Sequence, residues 1–170
     1  QLELTGPRVI IPFYNRAGDL IAFQGRALDS VSMRYITVKI DRDQEKIFGV
    51  DKVDPMKTIY VVEGPFDSLF LPNAIATADS NLSAAANLFD KAKLVLVPDC
   101  EPRNKNIVNN IGKFIKSGFN VCLLPETFGA KDINDAIKNG LTQEELLGII
   151  SINTFSGLRA ELEFLNWKKI

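Results

Sequence analysis

Three short stretches place carboxylates where apolar runs end. In VVEGPFDSLF (61–70), two valines lead into Glu63, and Asp67 follows four positions on. In LVLVPDCEPR (94–103), Asp99 and Glu101 flank a single cysteine, and AKDINDAI (130–137) carries Asp132. Carboxylates gathered at one place repel one another, and their pKa values rise unless a cation neutralises them. Hard oxygen donors without His or Cys partners suit Mg²⁺ or Mn²⁺, ions that keep waters and bind substrate phosphates. The chain has no histidine, which excludes Ser-His-Asp and Cys-His catalysis and a histidine general base. Its two cysteines, Cys100 and Cys122, cannot complete a four-ligand zinc site and read as reduced thiols of a cytosolic protein. Any chemistry falls to carboxylates, lysines and arginines.

The elements that must position these groups follow from patterning. TIYVV and KLVLV are short continuous apolar runs, as in strands covered on both faces; NVCLL is a third and AIAT a weaker one. Between them FDSLFLP, SAAANLFDKA and NIVNNIGKFIKSG have helical spacing, the last stopped by Gly118. This alternation predicts an α/β fold with a central parallel sheet flanked by helices over 56–140. Upstream, RVIIPFYN and LIAFQGRAL are β-rich runs split by the turn signal RAGD, and MRYITVKI alternates as a third strand, so 1–55 reads as a small β-rich subdomain. The tail, 141–170, reads as two helices, with Thr142 capping the first.

In an open parallel sheet, ligands bind beyond the carboxyl ends of the strands. Glu63, Asp99 and Asp132 follow three such strands and are expected on one rim. Gly64 permits close backbone approach, and Pro65 suits the first turn of the helix bearing Asp67. Any one carboxylate read alone is equally well a helix cap, worth ~1 kcal/mol. E-G-x-x-D at one strand end and D-x-E at another make that reading much weaker jointly.

Together these motifs resemble the TOPRIM domain, the metal-binding fold of bacterial-type primases, topoisomerases, small nucleases and recombination proteins. The stretch RVIIPFYNRAGDLIAFQGRAL, followed by RYITVKI and KIFGV, resembles the β-rich subdomain that precedes TOPRIM in primases and not in the other families. EGPFDSLF with DCEPR and KDINDAI is most similar to the primases of T-even bacteriophages and their relatives, and the similarity runs from about residue 7 to the C-terminus. The resemblance implies the RNA-polymerase core of a DNA primase, a nucleotidyltransferase that makes short RNA primers from NTPs on single-stranded DNA. It implies Glu63, Asp99 and Glu101 as catalytic and metal-holding residues, Asp67 and Asp132 as accessory acidic positions of the metal site, and two or more Mg²⁺ or Mn²⁺ ions without zinc. Bacterial primases have aspartate at the positions of Glu101 and Asn134. Arg26, Arg34 and Lys46 match basic positions that meet template or incoming nucleotide, and Arg103 is placed to meet the triphosphate. Arg26 and Arg34 are favoured as functional, on strands expected to face the cleft; Lys105 reads as a solvated charge, and Phe23, Tyr35 and Phe48 as core.

Rival readings are another TOPRIM enzyme, nuclease or topoisomerase, and a non-catalytic metal-dependent nucleic-acid-binding module. The chain has three tyrosines, all in strand-like runs, which gives a topoisomerase nucleophile little support. Net charge is −1 over 170 residues, against a uniformly basic coat, although 1–40 carry Arg8, Arg16, Arg26, Arg34 and Lys39 against Glu3, Asp19 and Asp29. No apolar run approaches the ~20 residues of a membrane span. No G-x-x-x-x-G-K-[ST] loop is present, so no helicase motor is expected within this sequence. The partner the resemblance to primases implies is a separate replicative hexameric helicase, in the host cytoplasm. The first residue is Gln1 and no zinc-binding cysteine cluster precedes the motifs, which suggests an excised catalytic region.

Overall fold

A computed structural model describes residues 6–29 and 33–170; Glu3, counted above among the early charges, lies outside them. The chain divides into two compact units between Lys52 and Val53.

The N-terminal unit is built on an antiparallel sheet, β1 (Arg8–Tyr14), β2 (Leu20–Ala27) and β3 (Tyr35–Lys39), in that order. The RAGD turn works through Asn15, whose side-chain oxygen accepts the backbone N–H of Ala17 and of Asp19, both at 2.9 Å. Gly18 supplies the positive φ of 89° that this reversal needs. Period-two alternation sends Ile11 and Phe13 inward, where Phe13 meets Phe48 edge-on at 5.8 Å. Phe48 therefore packs, as its sequence reads.

The C-terminal unit is a five-stranded sheet in the order β5-β4-β6-β7-β8, made of β4 (Ile59–Val62), β5 (Ala74–Ala76), β6 (Leu94–Leu96), β7 (Asn120–Cys122) and β8 (Thr154–Phe155). β4 to β7 run parallel, and β8 pairs antiparallel with β7. Ile59, Val61, Leu94, Leu96 and Val121 are fully buried, which is why these strands read as unbroken apolar runs. Each such side chain contributes roughly 1.5–3 kcal/mol relative to exposure. The helices are α1 (Pro65–Ser68), α2 (Lys105–Lys116), α3 (Ile133–Lys138), α4 (Gln143–Ile152) and α5 (Gly157–Trp167). α2 buries Ile107, Val108, Ile111, Phe114 and Ile115, one stripe at helical spacing, and ends at Gly118 with φ 76°. Thr142 caps α4 in a reciprocal box with Glu145.

Three local expectations change. SAAANLFDKA forms a 3-10 stretch, Leu82–Asn87, with a second short one at Lys91–Lys93, in place of an α-helix. Its buried residues are Leu82 and Ala85, three apart, which matches three residues per turn. FDSLFLP holds only the four-residue α1, because Leu71 and Pro72 turn the chain into β5. The tail contains β8 between its two helices, an edge strand of two residues, too short to leave a sequence period.

Candidate functional site

The strand order creates the site. From β4 the chain moves to β5 on one side, and later to β6 on the other, so the direction of winding reverses between β4 and β6. Such a reversal leaves a crevice at the carboxyl ends of the two strands. Glu63 follows β4 directly, and Asp99 lies three residues past the end of β6. Val97 still pairs with β4, its N–H donating to the Val61 carbonyl at 2.8 Å, so the two carboxylates leave the sheet side by side.

Glu63, Asp67, Asp99 and Asp132 line one cleft floored by Val62, Val97, Pro98, Leu124 and Ile133, around a cavity of about 10 Å³. That is room for about one water-sized particle, so anything as large as a nucleotide would have to sit outside the rim. Glu101 is outside the lining and joins the group through Lys131, whose ammonium lies 3.6 Å from Asp99 Oδ2 and 3.8 Å from Glu101 Oε1. Asn104 Nδ2 also donates to Glu101 Oε2 at 3.0 Å.

Local structure sets each carboxylate. Gly64 precedes Pro65 at the start of α1, and a Cβ on it would collide with the Asp67 carboxylate. Asp67 Oδ1 accepts the backbone N–H of Asn134 at 2.8 Å. Asp132 is the N-cap of α3, its carboxylate accepting the Asp135 N–H at 2.8 Å, so part of its capacity serves the helix. The acidic loop is tied to the α3 approach by the Cys100 N–H, which donates to the Lys131 carbonyl at 2.7 Å.

Burial pushes Glu63 up to about 7, with the negative charge of Asp99 adding to it and the Asp99 backbone N–H opposing it. Burial likewise raises Asp67 to about 6 against the Asn134 N–H, and Asp99 to about 6 against Lys131. Lys131 is itself raised: partial burial opposes the shift, and Asp99 and Glu101 outweigh it. Such a cluster stores repulsion that a cation would relieve. An all-oxygen donor set suits a hard divalent ion such as Mg²⁺ or Mn²⁺, and the Lys131 ammonium is a stand-in positive charge on the same oxygens. Among the described residues, no three Asp, Glu, Cys or His side chains are gathered tightly enough to cage an ion unaided. Chemistry and charge fit a divalent cation, provided the side chains draw inward and Lys131 gives way.

Arg103 Nη1 pairs with Glu126 Oε1 at 3.0 Å, both side chains exposed. Arg26, Arg34 and Lys46 belong to the N-terminal unit. Arg26, on β2, donates to the Tyr35 hydroxyl at 2.7 Å and its guanidinium lies 5.4 Å from the centre of that ring. Arg34 immediately precedes β3, its carbonyl accepting the Ala27 N–H at 3.0 Å, and Lys46 is half-buried. Cys100 and Cys122 are free thiols. Lys131 is not singled out by the sequence; its one signal is a lysine directly before Asp132.

A three-stranded antiparallel unit that precedes, in sequence, a mainly parallel five-stranded sheet with carboxylates at its switch point matches the fold of the primase TOPRIM cores. Over 171 residues the chain is 36% identical to the DNA primase of Enterobacteria phage T4, an alignment covering 99% of this chain and 49% of that protein. Among solved structures, the Escherichia coli primase catalytic core matches with a TM-score of 0.69 at 14% identity, over 94% of this chain and 56% of that one. The primase fragment of the bacteriophage T7 primase-helicase protein matches with a TM-score of 0.62 at 17% identity, over 83% and 61% respectively. A primase catalytic domain bound to single-stranded DNA matches with a TM-score of 0.64 at 15% identity, over 87% and 52%. No protein-family model matches the chain. The resemblance of the motifs to TOPRIM-containing DNA primases of the T-even phage type is therefore borne out by sequence and by fold. The chain spans about half the length of the curated relative it matches.

Proposed function

We propose that this chain is the RNA-polymerase core of a phage-type DNA primase, joining NTPs into short RNA primers on a single-stranded DNA template. The observation that carries the reading is the emergence of Glu63 and Asp99 from adjacent strands at the switch point, with pKa values raised first by burial and then by neighbouring carboxylates, Asp99 for Glu63 and Asp67, Asp132 and Glu101 for Asp99. Glu63, Asp99 and Glu101 would hold divalent cations, with Asp67 and Asp132 beside them. A bound Mg²⁺ or Mn²⁺ would neutralise the triphosphate and favour in-line attack by a 3′-hydroxyl. The residues of the chain shape that reaction: the buried floor under Glu63 excludes water, and the Asn134 N–H fixes the direction of Asp67. Arg26, Arg34 and Lys46 would supply charge for template and nucleotide phosphates, as would Arg103 once it exchanges Glu126 for phosphate.

Single-stranded DNA as a partner is supported by the related fold solved with it, and a helicase partner by the primase-helicase fragment of the same fold. No described helix is long and apolar enough to cross a membrane. The deciding experiment incubates the chain with labelled NTPs, single-stranded DNA and Mg²⁺ or Mn²⁺. Short RNA products are expected. Degradation of the DNA without NTP incorporation would make it a nuclease, and DNA retention without either reaction a binding module.

A further inference from the structure

We infer that Lys131 is a resident counter-ion of the acidic rim which a divalent cation displaces, and that its released ammonium then binds the phosphate tail of the incoming nucleotide. The second half rests on the polymerase reading above; the first does not. Lys131 combines a fixed backbone with a loosely held head. Its carbonyl is anchored by the Cys100 N–H at 2.7 Å, inside the loop that carries Asp99 and Glu101. Its ammonium, at 3.6 and 3.8 Å from their oxygens, is beyond the ~2.7–2.9 Å of a close charge-assisted hydrogen bond, and the side chain is 53% exposed. Asp99, by contrast, is only 18% exposed on its side chain and has little freedom to leave.

The two oxygens that Lys131 shares are ones an ion between Asp99 and Glu101 would take. A divalent charge there repels an ammonium only a few ångströms away, and the four-carbon stem lets the ammonium swing outward while the backbone stays in place. The cavity admits about one small particle, so phosphates must lie outside the rim, where the displaced Lys131 would meet them. One side chain thus holds the cation-free rim together and serves the substrate once the cation arrives.

The test compares wild type with Lys131→Gln and Lys131→Arg, chosen because an exposed side chain can be changed without loss of fold, which thermal melting checks. Mn²⁺ titration read by the loss of free-ion paramagnetic resonance signal should give a dissociation constant roughly 2- to 5-fold lower in Lys131→Gln, the span of an exposed ion pair. In primer synthesis the same variant should raise KM for NTP about tenfold or more, the scale of one lost charged hydrogen bond, with a smaller change in kcat. Lys131→Arg should stay near wild type in both. Unchanged or weaker Mn²⁺ binding in Lys131→Gln would overturn the displacement, and an unchanged KM would overturn the phosphate role. If Mn²⁺ binding tightens in Lys131→Gln although the wild type makes no primers, the primase reading fails and the displacement stands.

Discussion

The Asp67 carboxylate and the Asn134 backbone N–H, 67 residues apart in sequence, meet at 2.8 Å and join α1 to α3. This bond gives the E-G-x-x-D spacing a physical reason. Asp67 can fold back over the start of α1 only because Gly64 has no side chain there. Gly64→Ala should force Asp67 away, break the bond to Asn134 and cost roughly 1–3 kcal/mol. Asp67→Asn keeps an acceptor oxygen and should cost less. Thermal melting of the two variants side by side checks the order; equal stability of Gly64→Ala and wild type would refute the account.

A pH prediction follows from the raised carboxylates. Glu63 at about 7, and Asp67 and Asp99 at about 6, lie above their ordinary values of 4.5 and 3.8. A folded-state pKa above the unfolded one means the native protein binds the proton more tightly. The stabilisation is present below about pH 4 and is lost as pH rises through 6 to 7. Without divalent cations, these groups should lower stability between pH 4.5 and 8 by on the order of a few kcal/mol, reduced by their partial solvent exposure. Mg²⁺ should reverse this, raising Tm more at pH 7.5 than at pH 5. Melting curves in a chelator and in Mg²⁺ across that range decide it; a Tm that climbs with pH in the chelator contradicts the site's electrostatics.

Much of this arrangement can be read directly from residue order, and the unread parts share a cause. Val61–Val62 and Leu94–Val97 announce themselves because a strand buried on both faces needs an unbroken apolar run, so the carboxylates that follow are conspicuous. Thr142 and Gly118 are legible because capping is local. Asn134 acts through its main chain, so its side-chain type says nothing about the bond to Asp67. Arg103 resembles a phosphate ligand until Glu126 is found beside it, a pairing 23 residues distant with no period to betray it. β8 is two residues long and exists only because β7 offers it an edge. The three alanines of Leu82–Asn87 look α-helical by propensity, but the short span and the i, i+3 burial of Leu82 and Ala85 favour the tighter winding.

Removing charge from the rim separates chemistry from fold. Glu63→Gln and Asp99→Asn keep the shape of each side chain and remove a charge whose burial, with repulsion from neighbouring carboxylates adding to it, raises both pKa values. Each should melt at or above the wild-type temperature in the absence of metal, yet dinucleotide synthesis should fall to background because the cation ligands are gone. Circular dichroism paired with a labelled-NTP assay measures both. Undiminished synthesis by either variant would remove these residues from catalysis.

The C-terminal helix α5 reaches the same rim through a single carbonyl. Trp167, 9% exposed, donates its indole N–H to the Leu124 oxygen at 2.7 Å, and Leu124 lines the acidic cleft. The Cys100 thiol, between Asp99 and Glu101, donates to the same oxygen at 3.3 Å, a weaker interaction. Trp167 also stacks on Phe164, with ring centres 6.4 Å apart, so its loss removes both packing and a hydrogen bond. Trp167→Ala should cost about 3–5 kcal/mol, a loss on the scale of a large core truncation. Trp167→Phe keeps most of the packing and leaves the Leu124 carbonyl to the thiol alone, at about 1–3 kcal/mol. Because that carbonyl sits between the helix and the cleft, Trp167→Phe should also weaken Mn²⁺ binding, whereas a substitution of exposed Leu158 on the same helix should not. Denaturant unfolding and Mn²⁺ titration of the three variants test the coupling, and equal Mn²⁺ affinity in Trp167→Phe and Leu158→Ala would show that α5 supports the sheet without tuning the rim.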